Sequence, residues 1–258
     1  MFARRAVIAI GLMLLIVQAG SAVSTELQIQ KYGPDGTTLL ADTIVDYRWM
    51  EENLPVYGDG TTHYYHQGPV FVDDPAERWN PAEDRNVQEK DMGAVKGTDL
   101  RDLCEMAGGM DPGDIVEIRA TDGFVKKFGY KNVYEPLQRQ GRMVITWFRA
   151  DEGYVPDYAT GMRLVFFADT TTNPWGIHAF GNWDWHESAD EEYWYYYVQG
   201  GERYPTTTGL SVQTISGVVI HQAGGITQET ASGLGPGYLL PVIAVIIIGL
   251  GIFWRRSR

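Results

Sequence analysis

The chain has 258 residues, 44% hydrophobic and 21% charged, with 21 basic against 33 acidic residues and a formal net charge of −12. That balance excludes nucleic acid and an anionic membrane surface as electrostatic partners, because both repel an acidic protein. Its single cysteine, Cys104, excludes a disulfide within the chain.

In chain order, Arg4 and Arg5 precede the apolar run Ala6–Val17, and Gly20-Ser21-Ala22 offers small residues for cleavage. Residues 1–22 therefore read as a secretory signal peptide, with an uncleaved anchor as the alternative. Leu27–Tyr32 alternates apolar and polar, Gly33-Pro34-Asp35-Gly36 turns, and Thr37–Val45 returns. Asp46–Leu54 reads as a short helix stopped by Pro55. Together 24–57 form an N-terminal hairpin-and-helix module, packed on a main domain, 58–222. Gly58–Pro69 reads as a loop, and Phe71–Asp91, with Pro75 and Pro81, as irregular.

Val95–Phe124 is the most legible stretch. Thr98 is placed to cap a helix, with Asp99 and Asp102 in its first turn where the dipole favours anions. Leu100, Leu103, Cys104 and Ala107 make one apolar helical face. Gly108-Gly109 stops the helix and Asp111-Pro112-Gly113 turns. Ile115–Ala120 is a short strand closed by Thr121-Asp122-Gly123.

Further on, Met143–Phe148 is an apolar strand, and Gly161–Ala168 is apolar enough to predict a central one. Gly176–Trp183 reads as a strand, Asp184–Glu192 as an acidic helical turn, and Leu210–His221 as the last strand. Many strands and few short helices predict an α+β fold with mixed β-sheets. After a Gly/Ser/Thr-rich linker, 223–237, Tyr238–Trp254 is an uncharged run of 17 residues. As a helix it is roughly 26 Å long, at the short end for a membrane span. Arg255, Arg256 and Arg258 mark 255–258 as a cytoplasmic tail. A buried core helix and a removable lipid-anchor signal are the alternatives. The residues between signal and span hold 16 basic against 33 acidic residues, a deficit of 17 positive charges that suits a soluble exterior domain.

Within Val95–Phe124, the order Lys96-Gly97, Leu100, Asp102-Leu103, Ala107-Gly108-Gly109, Pro112-Gly113-Asp114 and Asp122-Gly123-Phe124 resembles a known segment. It is similar to the oxidoreductase molybdopterin-binding fold of the sulfite-oxidase type, with a looser likeness through Met162–Trp185. The part outside the membrane also resembles surface proteins of methanogenic archaea. The first resemblance implies a molybdopterin scaffold whose cysteine thiolate, well upstream of this segment, ligates molybdenum. Here no cysteine precedes Cys104. The ligand that defines the catalysis is missing, and Cys104 lies on an apolar helical face, as a small buried hydrophobe does.

Three sets of residues could carry chemistry. His63 and His66, with His178 and His186, could supply four nitrogen ligands to one metal ion, with Asp184, Glu187 or Asp169 adding carboxylate. If His63–His66 is a strand, however, residues three apart point to opposite faces. Tyr64, Tyr65 and Trp175, with the aromatic run Tyr193–Tyr197, could stack against a sugar or flat ligand, or else form core. Arg139 and Arg142 could hold an anion such as phosphate or pterin, or else pair with nearby carboxylates. The sequence thus predicts a single-pass membrane protein, domain outside, serving as a non-catalytic ligand-binding or structural module. The alternative is a metal- or molybdopterin-dependent oxidoreductase with a histidine site. Other cell-envelope proteins are the partner class for an aromatic face.

Overall fold

A computed structural model describes residues 23–224. Residues 1–22 and 225–258, on which the expected signal peptide, most of the expected linker, the expected membrane span and the basic tail fall, lie outside the described residues. Among the described residues, no helix is long and apolar enough to cross a membrane.

The elements run β1 (Glu26–Tyr32), β2 (Leu39–Asp46), α1 (Tyr47–Asn53), β3 (His63–His66), β4 (Lys90–Asp99) and α2 (Leu100–Met106). Then follow β5 (Ile115–Ala120), β6 (Val125–Gly129), α3 (Tyr130–Tyr134), β7 (Arg142–Arg149), β8 (Gly153–Tyr154) and β9 (Arg163–Phe167). The last are β10 (His178–Phe180), α4 (Asn182–Ser188), β11 (Tyr196–Gln199), β12 (Glu202–Pro205) and β13 (Ile215–His221). This is a mixed α+β fold, mostly sheet with a few short helices.

One sheet has the order β2-β1-β13-β5-β6, and the other β10-β3-β4-β7-β8, with β9 also on β7. The first is mixed: β1 runs parallel to β13 and antiparallel to β2. The N-terminal hairpin therefore forms one edge of this sheet, with β1 joined to the last strand from Gln28↔Gly217 to Tyr32↔His221. One apolar core takes Leu27, Ile29, Ile118 and Ile220 from this sheet, Ile145, Trp147, Leu164 and Phe166 from the other, and Leu100, Leu103 and Cys104 from α2.

Helix α2 begins one residue later than the sequence predicts. Asp99 is the cap, accepting from Arg101 N at 3.0 Å. Thr98 is still in β4, and its Oγ1 accepts the buried Trp147 Nε1–H at 3.1 Å. The indole needs that partner because it has no water. At the other end, Lys31 Nζ donates to Gly108 O at 3.2 Å and Gly109 O at 2.8 Å, satisfying carbonyls at the helix terminus.

Three expectations are corrected. The loop Gly58–Pro69 contains β3, because Tyr64 and His66 turn into the protein while His63 faces out. Trp183 lies in α4 and not in a strand; β10 ends at Phe180. Strand β9 is buried but not central, since its only strand partner is β7. Its other edge is closed piecemeal: Phe166 N donates to His66 Nε2 at 3.2 Å, Leu164 N to Val212 O at 2.9 Å, and Ser211 Oγ to Leu164 O at 2.6 Å. A buried edge must find such partners, since an orphaned backbone group costs about as much as a lost hydrogen bond.

Candidate functional site

A cleft of about 700 Å³ opens where α2, α3, the start of β7 and the end of β9 meet. Leu137 and Phe167 give it apolar surface, and Arg101 and Arg142 give it guanidinium groups. Its shape depends on Gly141, which has φ +71°. A Cβ there would lie 1.9 Å from Phe167 O, so the two chains cross too closely for any side chain.

The two arginines differ. Arg142 Nη1 donates to Asp99 Oδ2 at 2.7 Å, and its guanidinium lies 4.9 Å from the centre of the Tyr57 ring. The Asp99 bond raises the Arg142 pKa further. Arg101 lies over the Tyr134 ring at 5.1 Å and has no ion pair among the described residues. It is the guanidinium free to meet an anion.

Behind the loop that carries Leu137 sits a buried triad. Arg139 Nε donates to Asp184 Oδ1 at 2.8 Å and Nη2 to Glu83 Oε1 at 3.3 Å. Gly181 N caps Asp184 Oδ2 at 2.8 Å. The Glu83 and Asp184 side chains are 1% and 0% exposed. Burial, reinforced by the charge of Asp184, pushes the Glu83 carboxyl up to about 8. Burial also raises Asp184, against the pull of Arg139. Burial thus favours the protonated form of Glu83, while Arg139 holds the charge on Asp184. Glu83 is held in left-handed backbone, φ 47°, and Gly181 leaves it room: a Cβ there would sit 2.8 Å from Glu83 Cδ. Neither carboxyl reaches solvent, so the triad can store a proton but cannot touch a bulky substrate.

The four histidines fall to separate tasks. His63 is exposed and bonds Asp91 Oδ2 at 2.8 Å. His66 is buried on the opposite side, and burial drives its pKa down to about 3. Because His66 Nε2 accepts from Phe166 N, its proton sits on Nδ1, which has no partner. His178 Nδ1 bonds Ala168 O at 2.8 Å. His186 lies in α4 between Trp183 and Trp194, with centroids 4.3 and 4.8 Å away. Among the described residues, no three His, Cys, Asp or Glu side chains form a group that could hold a metal.

Of the proposed ligand residues, only Arg142 lines the cleft. Arg139 is consumed by the triad. Tyr64 is buried and stacks on Phe167 at 3.8 Å, backing the cleft wall without entering it. Tyr65 lies beside His63, ring centres 6.4 Å apart, and Trp175 is 43% exposed in a loop. Glu83 and Arg101 carry no sequence signal; one is in a Pro-rich polar segment, the other on the polar side of a helix.

Molybdenum does not fit these residues. Cys104 is fully buried, and burial drives its thiol pKa far up, so no thiolate forms. No model of a known protein family matches the chain, and no curated protein matches it.

Proposed function

We propose that the chain is an extracytoplasmic module, tethered by Tyr238–Trp254, that binds a small ligand and carries out no redox chemistry. The scaffold reading, a molybdopterin-binding-type fold without its metal ligand, is supported by Val95–Phe124, which runs strand, helix, turn and strand in the order the resemblance implies. One observation carries the functional reading: the only thiol is sealed in the core, while a cleft of about 700 Å³ presents a guanidinium with no ion pair among the described residues beside apolar surface. A ligand with an apolar body and a carboxylate or phosphate end suits it. Leu137 and Phe167 take the body, and Arg101 takes the anion through its planar donor fork.

The test uses the full chain, extracted from membranes in mild detergent. Native mass spectrometry is expected to show a retained small molecule that Arg101→Gln loses, and elemental analysis to show molybdenum far below one atom per chain. One molybdenum per chain would sink the reading.

A further inference from the structure

A second concavity, about 520 Å³, lies between the segment Gly68–Val72 and the residues Arg85, Asn86, Glu89 and Lys90. Phe71 forms its wall and is 55% exposed. It is the most solvent-exposed aromatic side chain among the large exposed apolar residues, yet it is firmly held. Tyr204 meets it edge-on at 4.8 Å and Tyr197 at 6.0 Å. Beneath them Arg78, only 8% exposed, lies over the Tyr204 ring at 4.6 Å.

Arg78 also fixes the backbone that carries Phe71. Its Nε donates to Val72 O at 3.0 Å and its Nη2 to Asp73 O at 3.3 Å. Its Nη1 donates to Glu202 Oε2 at 2.8 Å and Arg203 O at 3.1 Å, joining this loop to β12. The floor is fixed too: Asn182 Nδ2 donates to Gly68 O at 3.1 Å and Asn86 Nδ2 to Pro69 O at 3.0 Å. An exposed apolar ring gains nothing for folding by standing in water. Here a nearly buried arginine uses four of its five donors to hold the ring's loop and tie it to β12. That is preorganisation of a contact surface, which lowers the entropic cost of binding.

We propose that this concavity binds a neutral glycan, one sugar ring stacking on Phe71. A pyranose offers an apolar C–H face to an aromatic ring and a rim of hydroxyls that both donate and accept. The lining matches the rim: Arg85 and Lys90 can donate and Glu89 can accept. The chain's strong negative charge disfavours an acidic polymer. A protein-docking patch would call for continuous apolar surface, whereas the apolar wall here faces charges of both signs.

The experiment is saturation-transfer NMR on the full chain in detergent with maltohexaose, cellohexaose and mannohexaose as probes. At least one is expected to receive saturation, with affinity reduced roughly tenfold by Phe71→Ala, the loss expected for one aromatic contact. Arg85→Gln with Lys90→Gln is expected to weaken it further. Leu40→Ala, at an exposed apolar site on β2, is expected to leave it unchanged. No transfer to any probe, or transfer indifferent to Phe71→Ala, overturns the proposal. So does a co-purifying protein that Phe71→Ala releases while the sugars stay silent. Because this site shares no residue with the cleft at Arg101, its failure and the failure of that reading are separately visible.

Discussion

Two buried residues with opposite titration behaviour set how stability responds to pH. Glu83 is raised from its ordinary 4.5 to about 8, so the folded state holds a proton that the unfolded chain releases. Stability from this group is therefore lost as pH rises from 4.5 to 8. His66 is lowered from 6.5 to about 3, so the unfolded chain takes up the proton first. Its contribution is complete above 6.5 and lost as pH falls toward 3. Between 4.5 and 6.5 the two oppose each other; of this pair Glu83 acts above 6.5 and His66 below 4.5, where the hydrogen-bonded carboxyls of Asp35 and Asp59 lose stability as well. The melting temperature is expected to be highest in that shared window. Glu83→Gln keeps the shape and removes the titrating carboxyl, so its melting temperature is expected to hold level from 6.5 to 8 while that of the native chain falls. Identical slopes in calorimetry would show that Glu83 is not the titrating group. None of this is legible in sequence. His66 stands in a polar run, and Glu83 meets Arg139 and Asp184 only after long separations in the chain. Cys104 is the contrary case: its neighbours at helical spacing already mark it as core.

Elements were readable where the signal is local. The hairpin β1–β2, α1 and the segment from β4 to β5 follow from alternation, helical spacing and turn residues within a few positions, whereas the cap of α2 is Asp99 and not Thr98. Strand β3 has no sequence signal of its own, because loop-like polar residues surround four positions whose burial alternates only once β4 and β10 flank them. Strand β9 looked central because every residue in it is apolar or long. It is buried by side chains and loops, which leave no periodic trace. The crossing of β7 and β9 that shapes the Arg101 cleft was likewise hidden in one glycine. Gly141→Ala is expected to cost about 2–4 kcal/mol, combining left-handed strain with a backbone clash. Gly123→Ala, with φ +87° and no atom within 4 Å of the new Cβ, isolates the strain alone. It is expected to cost only about 1–2 kcal/mol. Urea unfolding of the two variants, followed by tryptophan fluorescence, compares them. Equal losses would mean that the close approach at Phe167 is not what Gly141 is there for.

At the scale of the whole molecule, the fold class was legible because strand count and punctuation are properties of composition. The proposed tether is a separate matter, since Tyr238–Trp254 lies outside the described residues. The sealed thiol makes the orientation testable. Cys104 is 0% exposed and its thiol is held neutral by burial, so the native chain offers no reactive sulfur to a maleimide while folded. Any label on a folded variant therefore reports the introduced cysteine. Leu40→Cys places a thiol on β2, where the native side chain is 52% exposed. Arg258→Cys places one at the end of the basic tail. A membrane-impermeant maleimide on intact cells is expected to label Leu40→Cys at once and Arg258→Cys only after permeabilisation. The argument has two physical parts: arginines resist crossing the bilayer and stay on the cytoplasmic side, and a domain this acidic gains nothing from an anionic inner surface. Labelling of Arg258→Cys on intact cells, or protection of Leu40→Cys until permeabilisation, would reverse or abolish the orientation. The native chain, labelled only after denaturation, supplies the baseline for both.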